Sequence, residues 1–254
     1  MEMKRKPFQG VFNIIRFNWH FYLLSTVLLL ALLLLSGFLN SMFQPYLYIL
    51  IALILLTTGI SLFVSFYIYD LSGLYKLNWL NGYLEPENSK IVNINAGFDE
   101  TSGLLRNKFK KAEIIVLDFY DPNKHTEVSI KRARKAYPPY PGTQAVKSVH
   151  LPLANNSIDK SFAILSAHEI REENERVAFF KELNRIAKPG GQIFITEHLR
   201  DFNNFLAYNF GIFHFHSRST WIRTFNQAGF KLRKEVKSTP FITTFILESN
   251  GDTL

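Results

Sequence analysis

Apolar positions are distributed along this chain in two ways. Between Arg16 and Asp70 there is no Asp, Glu, Lys or Arg, and two apolar runs, residues 21–39 and 46–69, are separated only by Asn40-Ser41-Met42-Phe43-Gln44-Pro45. Each run is long enough to cross about 30 Å of hydrocarbon as a helix. The short connection predicts an antiparallel hairpin. After Asp70 the pattern changes to short apolar blocks alternating with stretches of helical spacing. Strands are expected at 90–95, 113–117, 144–149, 161–166, 192–196, 231–237 and 241–248. Helices are expected at 100–111, 126–137, 172–187 and 217–229. In the helix at 172–187, Val177, Phe179, Phe180, Leu183, Ile186 and Ala187 make one face. Strand–helix alternation of this kind predicts an α/β domain with a largely parallel sheet.

Charge refines the first region. The formal net charge is +8. Lys4, Arg5, Lys6 and Arg16 precede the first apolar run against a single acid, Glu2, and the connecting loop carries no charge. The positive-inside rule then places the N-terminus in the cytoplasm. Two spans return the chain to that side, so the α/β domain is expected there too. Trp19, Tyr22, Tyr46, Tyr67 and Tyr69 stand near the span ends, where aromatic side chains favour the membrane interface. A cleaved signal peptide is not expected, because a second span follows at once. Residues 8–19 carry Phe8, Val11, Phe12, Ile15 and Trp19 beside basic residues. That suits a helix lying on the membrane or packed on the soluble domain. Residues 70–83 place Leu71, Leu74, Leu77 and Leu80 near helical spacing and predict a lead-in helix. The expected organisation is a basic amphipathic segment (1–20), two spans (21–69), a lead-in (70–89) and the α/β domain (90–254). With no cysteine in the chain, disulfides and thiol chemistry are excluded.

Three features of the second region agree in kind and order: Leu151-Pro152, the polar loop Asn155-Asn156-Ser157-Ile158-Asp159, and Lys188-Pro189-Gly190-Gly191 after a helix. Together they resemble the second half of a class I S-adenosylmethionine (SAM)-dependent methyltransferase of the type 11 kind. The resemblance extends over about residues 90–248 and includes the Trp221…Phe225…Ala228-Gly229-Phe230 helix before two final strands. It implies a Rossmann-like seven-stranded methyltransferase sheet, here preceded by a transmembrane hairpin, and SAM as cofactor. It also implies a cofactor loop at Asn95, Ala96 and Gly97. Asp118, at the end of the second strand, would hold the ribose hydroxyls, with Asp121 as the alternative. His150 and Leu151 would lie beside the adenine, and Ser166 at the end of strand four. The chain departs from the family at Asn93 for the usual acid, at Asn95 for the first glycine and at Asp99 for the last.

In open α/β sheets ligands bind beyond the carboxyl ends of the strands. Two adjacent strands end in Ser166-Ala167-His168-Glu169-Ile170-Arg171 and in Glu197-His198-Leu199-Arg200-Asp201. His168 or His198 is a candidate base. Glu169 and Glu197 are carboxylate candidates, Glu197 to orient a histidine or hold a cationic group, and Arg200 can hold a phosphate or carboxylate. A metal site drawn from His168, Glu169, Glu197 and His198 has no defined ligand spacing, and none is expected. The segment 202–215 carries Phe202, Phe205, Phe210, Phe213 and Phe215 with hardly a charge, and His214 and His216 at its end. Such a cover suits a lipid-soluble acceptor. The expected protein is a membrane-anchored methyltransferase acting on a lipid-soluble or small-molecule acceptor by O- or N-methylation. The competing reading is an inactive methyltransferase-like scaffold, for which Asn95 and Asp99 speak. No aromatic-and-basic stripe of the kind that binds nucleic acid is present, so no nucleic-acid partner is expected.

Overall fold

The computed structural model describes residues 5–83 and 88–249. The ends of the first and last expected segments, and part of the lead-in, lie outside them. The N-terminal region is helical: α1 (Gln9–Phe17), α2 (Trp19–Ser36) and α3 (Gln44–Phe66). The last two match the two expected apolar runs, and both are long and apolar enough to cross a membrane. No residue of α2 is buried.

Helix α1 shows both faces at work. Phe8, Phe12 and Trp19 point outward, while Gly10, Asn13 and Phe17 are buried against the rest of the chain. The amides of Gly10 and Val11 donate to the two carboxylate oxygens of Asp70 at 2.8 and 2.9 Å, which satisfies first-turn groups that have no partner within a helix. A Cβ on Gly10 would lie 2.3 Å from Cβ of Tyr69, so only glycine allows this approach. Arg5 joins the same contact, with its guanidinium 2.7 Å from Glu100 and 3.6 Å over the ring of Tyr75.

The lead-in is not one α-helix. A π-helical turn (Tyr67–Leu71) is followed by 3-10 turns at Leu74–Lys76 and Asn78–Leu80, with Gly73 and Leu77 left-handed. Leu74, Leu77 and Leu80 are all buried while Leu71 stays exposed, but the left-handed break at Leu77 divides them: Leu74 packs with Val64 and Ile68, and Leu77 and Leu80 pack against the sheet.

The sheet has seven strands: β1 (Lys90–Asn95), β2 (Glu113–Asp118), β3 (Gln144–Ala145), β4 (Ile158–Ile164), β5 (Ala187–His198), β6 (Phe230–Thr239) and β7 (Ile242–Ser249). Their order is β3-β2-β1-β4-β5-β7-β6, with β7 antiparallel to β5. Helices α4 (Ser102–Lys108), α5 (Val128–Ala136), α6 (Glu173–Ile186), α7 (Phe202–Tyr208) and α8 (Arg218–Gln227) connect them. Neighbouring residues on a strand serve opposite faces. Val92, Ile193 and Ile195 pack under Phe179, Phe180, Trp221 and Phe225. Ile91, Phe162 and Phe194 pack under Leu105, Phe109, Leu77 and Leu80.

Two boundaries differ from expectation for a physical reason. The Lys188–Gly191 turn does not precede β5 but lies inside it. Ile158 pairs with Ala187 and Lys160 with Gln192, so the turn bulges out between two paired positions. Gly190 supplies the left-handed angle, φ 76°. A Cβ on Gly191 would stand 2.8 and 3.0 Å from two backbone oxygens. Strand β3, expected to run to residue 149, pairs over only two residues.

Candidate active site

The strand ends of β1, β2, β4 and β5 form one edge, and its two halves are built differently. On the β1–β2 half, parallel pairing sets Asn95 directly beside Asp118. Asn95 makes up for the missing glycine: its Oδ1 accepts from the amide of Gly97 at 2.9 Å, and its Nδ2 donates to the carbonyl of Leu117. This is an Asx turn, in which a side chain replaces part of a backbone turn. Gly97 then takes φ 96°, and Ala96 is buried beneath it. Asn93 donates to the hydroxyls of Thr101 and Ser102 at 2.9 and 2.8 Å. Oδ1 of Asp99 accepts from the amides of Thr101 and Ser102 at 2.8 and 2.9 Å and so holds the start of α4. The departures at 93, 95 and 99 therefore rebuild the turn with side chains.

Asp118 is buried and both its oxygens are engaged. One accepts from the amide of Tyr120 at 2.9 Å, the other from Arg134 at 2.6 Å. The Arg134 guanidinium lies 4.2 Å over the Tyr120 ring. It also presses on the cofactor loop, since a Cβ on Gly97 would meet it at 2.6 Å. Arg134 belongs to a basic run on α5 with Lys131, Arg132 and Lys135. Arg132 turns inward as well, toward the carbonyl of Phe17 and the ring of His20, both at 2.7 Å. What space remains beside Asn95, Gly97, Asp99 and Asp118 is a cavity of about 10 Å³. Oδ2 of Asp99 is buried there without a hydrogen-bond partner. An unpartnered buried carboxylate oxygen fits the amino group of SAM, and Asp118 fits two ribose hydroxyls once Arg134 has withdrawn.

The other expected cofactor residues are elsewhere or hold the frame. His150 is exposed. Leu151 is buried in the main core, and its amide donates to Glu182 at 2.8 Å. The Ser166 hydroxyl donates to the carbonyl of Ile94 at 2.9 Å and ties the end of β4 to the end of β1.

On the β4–β5 half the charges converge. His168 and Glu169 sit on a 3-10 turn (Ala167–Glu169) after β4, and Glu197 stands fully buried near the end of β5. Nδ1 of His168 lies 2.6 Å from Glu197, and its Nε2 lies 3.5 Å from Glu169. Burial opposes a charge on His168, but the two carboxylates outweigh it and push its pKa up to about 10. Burial likewise works against ionised Glu169, and the bonds from His168 and His214 overcome it, holding its pKa well below the usual range. His214, passed over as a site residue in sequence, arrives from the 3-10 segment Asn209–His214. It lies 3.5 Å from Glu169, 2.8 Å from Glu127, and 4.9 Å ring to ring from His168. Arg171 hydrogen-bonds the carbonyl and ring of His214. A cleft of about 670 Å³ opens beside this group, lined by Glu169, Arg171, Lys124, His125 and Glu175 among others.

His198 and Arg200 point to other work. Nδ1 of His198 meets Oδ1 of Asn204 at 3.0 Å, and Nε2 meets the hydroxyl of Tyr69 at 2.8 Å. The amide nitrogen of Asn204 is already spent on Asp201 and the carbonyl of Phe241. Asn204 therefore presents its oxygen, which sets the proton on Nδ1 and leaves Nε2 to accept from Tyr69. Burial, assisted by the charges at His168 and His214, pushes the pKa of His198 down to about 3. It is neutral, enclosed and stacked on Phe215 at 4.7 Å, so it is a clasp between the helical region and the sheet rather than a base. Arg200 donates to the carbonyls of Phe213 and Phe215 and pins the Phe-rich segment.

Comparison with known proteins bears on the fold. Residues 94–195 match the model of the Methyltransf_11 family, a methyltransferase domain. Among solved structures, a SAM-dependent methyltransferase from Methanosarcina mazei superposes with a TM-score of 0.50 at 15% identity, covering 68% of this chain and 97% of its own. The geranyl diphosphate C-methyltransferase of Streptomyces coelicolor, solved with Mg2+, geranyl diphosphate and S-adenosyl-L-homocysteine, gives 0.50 at 12%, covering 71% and 81%. A [4+2]-cyclase, SpnF, gives 0.50 at 14% over the same shares. At these identities the likeness is one of fold, and the cyclase shows that the fold also carries other chemistry. No curated protein matches this chain.

Proposed function

The chain carries a SAM-dependent methyltransferase domain, and on that premise we propose that it is a membrane-anchored enzyme methylating an oxygen or nitrogen of a lipid-soluble acceptor. The observation that carries this reading is the charged group at the ends of β4 and β5, of which Glu169 lines an open cleft. SAM, when bound, supplies an electrophilic methyl group. The Asn95–Gly97 turn offers backbone to it, Asp99 an unpartnered oxygen for its amino group and Asp118 a carboxylate for its ribose. The acceptor enters by the cleft. Glu169, ionised and lining that cleft, holds a cationic group of the acceptor or accepts a hydrogen bond from its hydroxyl or amine. His168, charged between two carboxylates, donates a hydrogen bond instead of acting as base. Glu197 fixes its ring.

The membrane side of the proposal rests on continuous apolar surface. Ala207 and Tyr208 of α7 pack on Val64 and Ile68 at the end of α3. The opposite side of that segment leaves Phe202, Phe205, Leu206, Phe210 and Phe213 exposed next to the hairpin. An apolar patch of this extent in line with two spans suits contact with a bilayer. The packing of Arg5 and α1 on the α/β domain supports a topology with both on one side of that bilayer, and the basic residues before the first span favour the cytoplasmic side.

One observation favours the scaffold reading: Arg134 occupies Asp118, the carboxylate proposed for the ribose. Calorimetry of SAM and S-adenosyl-L-homocysteine with the detergent-solubilised full chain decides. Micromolar binding, followed by transfer of label from SAM into a lipid extract, is expected. Absence of binding to folded protein overturns the enzyme reading.

A further inference from the structure

We propose that His168, Glu169 and His214 form a site for one divalent transition metal ion, bound through Nε2 of each histidine and one oxygen of Glu169. The three ligand atoms lie within 4.8 Å of one another. Both imidazole-to-carboxylate edges measure 3.5 Å. Metal–ligand bonds of about 2.1 Å in tetrahedral geometry require edges of about 3.4 Å. Those two edges need shifts of only about a tenth of an ångström, and the third, between the two imidazole nitrogens, lies within 4.8 Å and must close to the same length.

The second argument is the orientation of the rings. Each histidine has its Nδ1 beside a different carboxylate, His168 with Glu197 at 2.6 Å and His214 with Glu127 at 2.8 Å, and Arg171 contacts Nδ1 of His214 as well. Each is thereby left with Nε2 directed at Glu169. Carboxylate–histidine pairs of this kind set the tautomer and rotation of metal-binding imidazoles. Four elements of the fold supply the parts: the turn after β4, the end of β5, the residue before α5, and the segment before α8. Surface ion pairs do not produce such convergence by sequence proximity.

Charge gives a third argument. Glu127, Glu169 and Glu197 converge beside the guanidinium of Arg171, and a dication that displaces the proton of His168 balances three carboxylates and one guanidinium. Arg171 is also the competitor, 3.1 Å from Nε2 of His214. It is 40% exposed and has room to swing into the cleft. Two imidazoles and a carboxylate suit Zn2+, Fe2+ or Mn2+ rather than Mg2+ or Ca2+. Glu169 lines the cleft, so the remaining coordination position faces the space assigned to the acceptor. The metal proposal stands apart from methyl transfer, because metal binding is read directly.

The test is equilibrium dialysis of the untagged, detergent-solubilised full chain against Zn2+ and, separately, Mn2+, with metal counted by mass spectrometry. One Zn2+ per chain is expected, with Mg2+ in excess failing to displace it. His214→Ala should weaken binding roughly 10- to 100-fold or more, and Glu127→Gln by a smaller factor. Arg171→Ala should tighten it several-fold. Substituting Co2+ gives a readout independent of stability: the native chain should show the visible absorption of a tetrahedral site, and His214→Ala, folded by circular dichroism, should lose it. Sub-stoichiometric binding by the native chain, or a folded His214→Ala that binds Zn2+ as the native chain does, overturns the proposal.

Discussion

The two halves of the strand-end edge solve opposite problems. Beside β1 and β2, one carboxylate meets one guanidinium, the space is filled, and three polar substitutions have been turned into struts for the loop. Beside β4 and β5, three carboxylates and two imidazoles converge next to open space. A filled half is stable as it stands and must be opened to bind. An open half gathers charges that need a partner or each other. The difference teaches that a methyltransferase sheet can be intact while its cofactor side is closed by its own side chains. Strand order alone therefore does not show whether the β1–β2 half binds, since Arg134 already engages Asp118.

The most severe way to break the comparison is to remove the buried carboxylate of the open half. Glu197→Ala leaves the charge of His168 buried against one carboxylate fewer. Breaking a buried pair in this way costs about 3–5 kcal/mol. Denaturant unfolding of the solubilised protein should show most of that loss, whereas Glu197→Gln, which still accepts a hydrogen bond, should lose less. Equal, small losses for both would mean that the pair does not hold the turn after β4.

His198 allows a second test, by pH. Its folded pKa, about 3, lies below the unfolded value of about 6.5. Between those values the unfolded chain binds a proton that the folded chain refuses. The neutral clasp therefore contributes fully above pH 6.5, and stability falls as pH drops toward 3, by up to about 1.4 kcal/mol per pH unit. Replacing it by glutamine removes this dependence. The stability gap between native protein and His198→Gln should narrow by about 2–3 kcal/mol from pH 6 to pH 4. A gap that stays constant would show that the ring already carries a proton when folded.

Much of the frame was legible because it is written in short apolar blocks. Residues 90–95 and 113–117 announced β1 and β2, and the register between them follows from burying both faces. The site was less legible because its contacts are long-range. Nothing local connects Arg134 with Asp118, and a basic helix reads as solvated until the loop between them is folded. His214 reaches Glu169 only after the chain has run through β5 and the Phe-rich segment. His198 was a reasonable base by its place at a strand end, yet Tyr69 and Asn204 engage both its nitrogens, and neither partner follows from local spacing. The spacing of Leu74, Leu77 and Leu80 does not reveal the lead-in, because left-handed residues at Gly73 and Leu77 break it into short 3-10 turns that pack in two different places.

The closed half carries the two smaller predictions. Asp118→Ala removes charged acceptors for the ribose, worth about 1.5–3 kcal/mol. Calorimetry should show SAM binding weakened roughly 10- to 100-fold. An unchanged affinity would move the ribose to Asp121 or elsewhere. Arg134→Ala should act the other way and by less. The Arg134–Asp118 pair is partly exposed on the arginine side and contributes about 1 kcal/mol or under. SAM that must displace it gains that amount when it is gone, a tightening of about two- to fivefold. The sign matters more than the size. Tighter binding makes Arg134 a plug on a working site. Weaker binding makes it a ligand for the cofactor's carboxylate, delivered to the loop in advance. No binding in either protein leaves Arg134 and Asp118 as a structural pair and the β1–β2 half as permanently closed.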